Sequence, residues 1–209
     1  MEKTILLNGI KAKDFLDLML DGDREITSEG RLQEMFGNFF KHCTNNVWPA
    51  SSKYPGTRNA NDGRFKIILD NNIEIYMLQE CKLHTRDLNK ALCQICVYYN
   101  METKEMQEKI KYFILITPST FDIISVESLR PALIKIAELM NTVNITPCKA
   151  YEDPMIYSSV IFEWKPNNAV HFDWRKLDDM GVIIKTLIDK ATKDAIKEIE
   201  NGNNNRRIA

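Results

Sequence analysis

Two short runs with alternating apolar residues, RFKIIL at 64–69 and IEIYMLQECK at 73–82, are separated only by Asp70, Asn71 and Asn72. Such runs bounded by turn residues read as a β-hairpin. With a three-residue loop, Leu69 faces Ile73, Ile67 faces Ile75, Phe65 faces Met77 and Asp62 faces Glu80. Side chains alternate along a strand. One face therefore carries Phe65, Ile67, Leu69, Ile73, Ile75 and Met77, and the other Asp62, Arg64, Lys66, Tyr76, Leu78, Glu80 and Lys82. A slip of one residue would split the apolar set, so this register is strongly specified.

The flanking segments predict a mixed α/β chain. A helix is expected over Ala12–Leu20. A second starts after the capping pair Thr27-Ser28, with Leu32, Met35, Phe36, Phe39, Phe40 and Cys43 at helical spacing. The Asn-, Ser- and Pro-rich stretch from Thr44 to Asn61 reads as a loop. After the hairpin come a helix at Asp87–Asn100, strands at Tyr112–Ile116 and Phe121–Val126, and a helix at Leu129–Met140. A strand-like run follows at Met155–Trp164, then a long amphipathic helix at Asp178–Glu200 and a frayed tail, NGNNNRRIA.

The 209 residues suffice for one domain with a substantial core. The expected core spans about 27–130, with 131–209 as a C-terminal extension of the same domain. No apolar run approaches the roughly 20 residues of a bilayer span. The N-terminus shows no signal-peptide pattern, so a cytoplasmic protein without membrane attachment is expected. Five cysteines at irregular spacing argue against a disulfide framework, and the lone Cys93/Cys96 pair reads as reduced thiols on a helix. A net charge of −1 means that any grip on nucleic acid must be local or shared with another subunit.

The polar face of the hairpin carries the chemistry. Opposed carboxylates repel each other on a sheet, and a divalent cation between Asp62 and Glu80 would remove the conflict. Oxygen donors of this kind suit Mg2+, with Mn2+ able to substitute. Lys82, two residues from Glu80 on the same face, could hold or deprotonate a water attacking a phosphate. The competing reading is a solvated polar face. On the second helix, Glu29 falls about 60° from Leu32 and Glu34 about 200° away, at 100° per residue. Glu29 thus flanks the inward stripe, although a carboxylate there also suits the helix dipole. Gln94 and Tyr98 share one face of their helix. Arg58, Arg64 and His84 are candidate phosphate contacts. His42 and His171 have no partner at metal-ligand spacing.

In order along the chain, Thr27-Ser28-Glu29, Asn61-Asp62-Gly63, Gln79-Glu80-Cys81-Lys82 and Gln94-Ile95-Cys96-Val97-Tyr98 resemble the motifs of the PD-(D/E)XK nuclease superfamily over residues 27–130. The first opens the family's core helix. The second stands where the family has Pro-Asp, with Asn61 replacing the proline. The third matches (D/E)xK, and the fourth matches the QxxxY helix of the RecB-like branch. The strands in KYFILITPSTFDIISV look like those completing the sheet in restriction-type members. The resemblance implies a restriction-endonuclease-like core: a central mixed β-sheet flanked by helices, here with a C-terminal helical addition. It implies catalytic Asp62, Glu80, Lys82, Glu29 and Gln94, and a metal held by Asp62, Glu80 and the Cys81 carbonyl. Arg58, Arg64, His84 and Tyr98 would lie near the nucleic acid. The reaction it implies is Mg2+-dependent hydrolysis of DNA phosphodiesters with inversion, leaving a 5′-phosphate, in a restriction or defence setting. One site per chain suggests a homodimer, or a subunit or domain of a larger restriction-type enzyme. The alternatives are a silent nuclease-fold module binding nucleic acid or a partner protein, and an exonuclease or RNA-directed nuclease.

Overall fold

In the computed structural model the hairpin forms in the expected register. The model describes residues 10–19, 25–43, 47–50, 62–69, 72–164 and 169–208. β2 (Gly63–Ile68) and β3 (Glu74–Cys81) pair antiparallel with Phe65 opposite Met77 and Ile67 opposite Ile75. The Leu69 N–H donates to the Ile73 carbonyl at 3.0 Å, closing the loop. Asn72 takes a left-handed φ of 58°, as a three-residue hairpin loop requires of its last residue. Gly63 leads into β2, and a Cβ on it would stand 2.8 Å from the Phe65 ring.

The hairpin lies inside a six-stranded mixed sheet of order β1-β2-β3-β4-β5-β6. β1 is Val47–Ala50, β4 Ile110–Ile116, β5 Thr120–Ser125 and β6 Ala169–Asp173. Only β3 and β4 run parallel. Parallel neighbours need a crossover, supplied here by α3 (Leu88–Asn100) and the short α4 (Lys104–Lys109).

The sheet separates two apolar cores. On one face α1 (Ala12–Met19), α2 (Glu29–Cys43) and α7 (Gly181–Ile208) cover Phe65, Ile67, Met77, Ile114 and Ile123. Phe15, Phe36, Phe39, Phe40, Phe121 and Trp174 form a cluster of edge and tilted ring contacts there. On the other face α3, α5 (Arg130–Met140) and α6 (Pro154–Glu163) cover Leu78, Phe113, Leu115 and Ile124. Among the described residues, no helix is long and apolar enough to cross a membrane.

Several elements differ from expectation. Met155–Trp164 is not a strand: Pro154–Glu163 is helical, with Pro154 in the first turn and the Asp153 carboxylate accepting from the Met155 and Ile156 amides. Its apolar run has no one-sided stripe, and proline and the cap decide the matter. The expected 44–61 loop contains β1, which holds Pro49 at a sheet edge, where a missing N–H is tolerated. The remainder of that loop lies outside the described residues. β6 was not expected, so the C-terminal part is not purely helical and closes the sheet instead. The helix expected to end at Glu200 runs through the Asn-rich segment to Ile208. Asn costs only about 0.7 kcal/mol or less per residue in a helix already propagating.

Candidate active site at the end of the hairpin

β3 ends as β2 begins, which brings Asp62 beside Glu80 and Cys81. The Cys81 N–H donates to Asp62 Oδ2 at 2.6 Å. Lys82 Nζ donates to Glu80 Oε1 at 2.8 Å and to the Cys81 carbonyl at 3.0 Å. The Lys82 backbone is held in turn by an N–H donated to the Ile116 carbonyl of β4. Glu29, in the first turn of α2, reaches the same ammonium at 3.7 Å. α2 starts there because Ser28 Oγ accepts from the Arg31 N–H, a cap at its third position. Glu34 points elsewhere and pairs with Arg31 on the exposed side. Asp62, Glu80, Lys82 and Glu29 therefore converge, and Glu29 is the helix carboxylate among them.

Glu80 is only 3 % exposed, and its Oε2 has no hydrogen-bond partner. Burial first, and the Asp62 charge second, push its carboxyl up to about 8. The bond from Lys82 pulls the other way but does not outweigh them. Burial also raises Asp62, against the Cys81 N–H and Lys82, while Glu29 adds to the rise. Burial lowers the Lys82 ammonium, but the Glu80 charge and hydrogen bond, with Glu29 and Asp62, raise it on balance. Its two hydrogen bonds hold the Lys82 ammonium over Glu80 and the Cys81 carbonyl.

The remaining residues divide. Gln94 and Tyr98 are both buried on α3. Gln94 Oε1 is buried without a partner. Tyr98 feels the charges of Glu80 and Asp62, so it borders the site; burial is the main cause that raises its phenol. The Arg64 guanidinium forms an ion pair with Glu102, both largely buried. Arg58 lies outside the described residues. His84 is exposed beside a shallow pocket of about 380 Å3 lined by Leu83, His84, Arg86, Pro118 and Ser119 among others.

Two features were missed from sequence. Gln79 is fully buried on the opposite face of β3 and donates to Cys81 Sγ; strand alternation places it there. His171, which has no partner at metal-ligand spacing in the sequence, has Nδ1 2.7 Å from Asp122 Oδ1. They are 49 residues apart and meet through the unexpected β6, so spacing could not reveal them. Cys81, Cys93 and Cys96 are buried free thiols, as expected of the last two.

Among the described residues, no three His, Cys, Asp or Glu side chains are gathered to hold a metal ion. The donor set at the hairpin end is instead two carboxylates and a carbonyl. These hard oxygen donors, one of them unpartnered and buried, fit Mg2+ or Mn2+. The Lys82 ammonium already bridges Glu80 and the Cys81 carbonyl as a cation would. The chain matches no family model, and neither the curated proteins nor the solved structures contain a match to it.

Proposed function

We propose that the protein is a divalent-metal-dependent endodeoxyribonuclease that hydrolyses DNA phosphodiesters. The observation that carries this reading is the convergence of Asp62, Glu80, the Cys81 carbonyl and Lys82 in one partly enclosed site. Burying Glu80 and Lys82 beside the half-buried Asp62 costs stability that no part of the fold requires. The element order supports the reading further: a core helix, three antiparallel strands, a helix bearing Gln94 and Tyr98, and strands completing a mixed sheet. A mixed sheet flanked by helices is compatible with the restriction-endonuclease-like core that the sequence motifs imply.

Asp62, Glu80 and the Cys81 carbonyl would hold the cation, which supplies charge neutralisation and a water of lowered pKa when bound. Lys82 orients the attacking water and stabilises charge growing on the phosphate oxygens. Glu29, at 3.7 Å from Lys82, keeps the ammonium aimed across the site. Gln94 offers an unpartnered amide oxygen on the α3 side, suited to positioning a water or the backbone. The motifs also point to a cytoplasmic restriction or defence enzyme, acting as a homodimer or within a larger assembly.

Closed-circular and linear DNA incubated with Mg2+ or Mn2+ test this directly. The wild-type chain should nick or linearise circles, and Lys82→Ala and Asp62→Asn should lose at least 100-fold in rate. Cleavage of linear ends alone would make it an exonuclease. Equal cleavage by wild type and both variants, or none by any, would remove the nuclease assignment and favour a silent binding module.

A further inference from the structure

Glu80, Leu115, Asp122 and His171 form one row across the sheet. Glu80 is the partner of Leu115, Leu115 of Asp122, and Asp122 of His171. Paired residues on neighbouring strands share a face, and Leu115 fixes it as the α3 face. With strands about 4.8 Å apart, Asp122 lies roughly 10 Å and His171 roughly 14 Å along the sheet from Glu80. That is too far to touch the same reacting atoms. It is within reach of the same bound nucleic-acid strand.

The pair is built as a positioned imidazole. Asp122 is 6 % exposed, and its Oδ2 is buried without a well-formed hydrogen bond. Burial raises its carboxyl, while His171 and the Thr120 hydroxyl oppose that rise and favour the ion. Its Oδ1 receives the Nδ1–H of His171, fixing the ring and directing Nε2 outward. The His171 side chain is 56 % exposed, because β6 is an edge strand. A buried carboxylate serving only the fold would not need a solvent-facing ring as its partner.

Two arginines stand at the end of the sheet where β3 stops and β4 turns into β5. His84 and Arg86 rim the pocket at the end of β3, beside Ser119 of the β4–β5 turn. Arg175 follows β6, is exposed, and donates to the Pro118 carbonyl of that turn. In a chain of net charge −1 this supplies the local positive edge that nucleic-acid binding demands. We infer that the Asp122–His171 pair binds a backbone phosphate of the DNA strand cut at Glu80 and Lys82, a few nucleotides from the scissile bond. His171, in its doubly protonated form, donates from Nε2 to the phosphate oxygen while Nδ1–H stays on Asp122, which is the positioning residue behind it. This rests on the nuclease reading above.

The test measures KM and kcat on end-labelled oligonucleotides for wild type, His171→Ala, His171→Gln and Asp122→Asn, with folding checked by circular dichroism. Both His171→Ala and Asp122→Asn should raise KM about 5- to 20-fold with kcat within 2-fold, and His171→Gln should recover part of the loss. The penalty should vanish on oligonucleotides truncated near the cut on the side that runs toward β6. Folded variants with unchanged KM overturn the inference while leaving the nuclease reading intact. If the wild type cuts nothing, fluorescence anisotropy with the same oligonucleotides in Ca2+ decides. Weaker binding by His171→Ala supports the pair as a contact, and absent or equal binding overturns it.

Discussion

Glu80 faces Asp62 across the hairpin from a buried position, and both circumstances favour its neutral form. Its folded pKa of about 8 stands above the ordinary 4.5. The contribution of Glu80 to the metal-free fold is therefore full below pH 4.5, where the carboxyl is protonated folded or unfolded. That contribution is lost as pH rises toward 8, because the unfolded chain releases the proton first. Thermal melts of the metal-free protein should show Tm falling between pH 5 and 8, and Glu80→Gln should flatten that slope and melt higher at pH 8. Gln94 lends itself to a different separation. Its Oε1 is buried without a partner, so replacing it by leucine removes an unsatisfied polar group and should leave stability equal or raised. If Gln94 serves the substrate, Gln94→Leu should nonetheless cut more slowly, by about 10-fold. Loss of stability in urea would mark Gln94 as structural instead.

Among the elements, the hairpin was the most legible and α6 the least. Phe65, Ile67, Ile75 and Met77 must share a face, which a one-residue slip would split, and the three-residue loop then sets Asp62 opposite Glu80. α6 carries apolar residues on all sides, and such a run has no period to distinguish helix from strand. The site divides the same way. Glu80 and Lys82 follow from alternation alone, whereas the ion pair of Arg64 with Glu102 and the pairing of His171 with Asp122 depend on long-range packing. Gly63 shows how closely the hairpin and site are coupled. A Cβ there would meet Phe65 at 2.8 and 3.0 Å and Gln79 at 3.3 Å, and the Phe65 ring is itself packed on Phe40. Gly63→Ala should cost about 1–3 kcal/mol in urea denaturation and lower activity further by displacing Asp62. A variant of wild-type stability would show that the hairpin entry has slack.

At the scale of the molecule, the start of α1 and the segment leading into α7 meet over one face of the sheet. The Ala12 N–H donates to the Leu177 carbonyl, and the Met180 N–H to the Ile10 carbonyl. Trp174 is the centre of this closure: fully buried, edge-on to Phe15 and Phe36, with its indole N–H on the Thr117 carbonyl at 2.9 Å. Trp174→Phe both empties volume and orphans that carbonyl, and should cost about 2–4 kcal/mol in chemical denaturation. A cost below about 1 kcal/mol would mean that the C-terminal part adds little to the fold's stability. Through its bond to Thr117, Trp174 ties this closure to the β4–β5 turn.

The central claim is that Asp62, Glu80 and the Cys81 carbonyl share one divalent cation. Titration of the metal-free protein with Mn2+, followed by the paramagnetic resonance of the free ion, reads this without any substrate. One ion should bind per wild-type chain, more tightly at pH 8 than at pH 6 because a proton must leave Glu80. Asp62→Asn and Glu80→Gln should each weaken binding by 10-fold or more, with Lys82→Ala still binding. A wild-type chain that binds no ion, or carboxylate variants that bind it as well, would contradict the account.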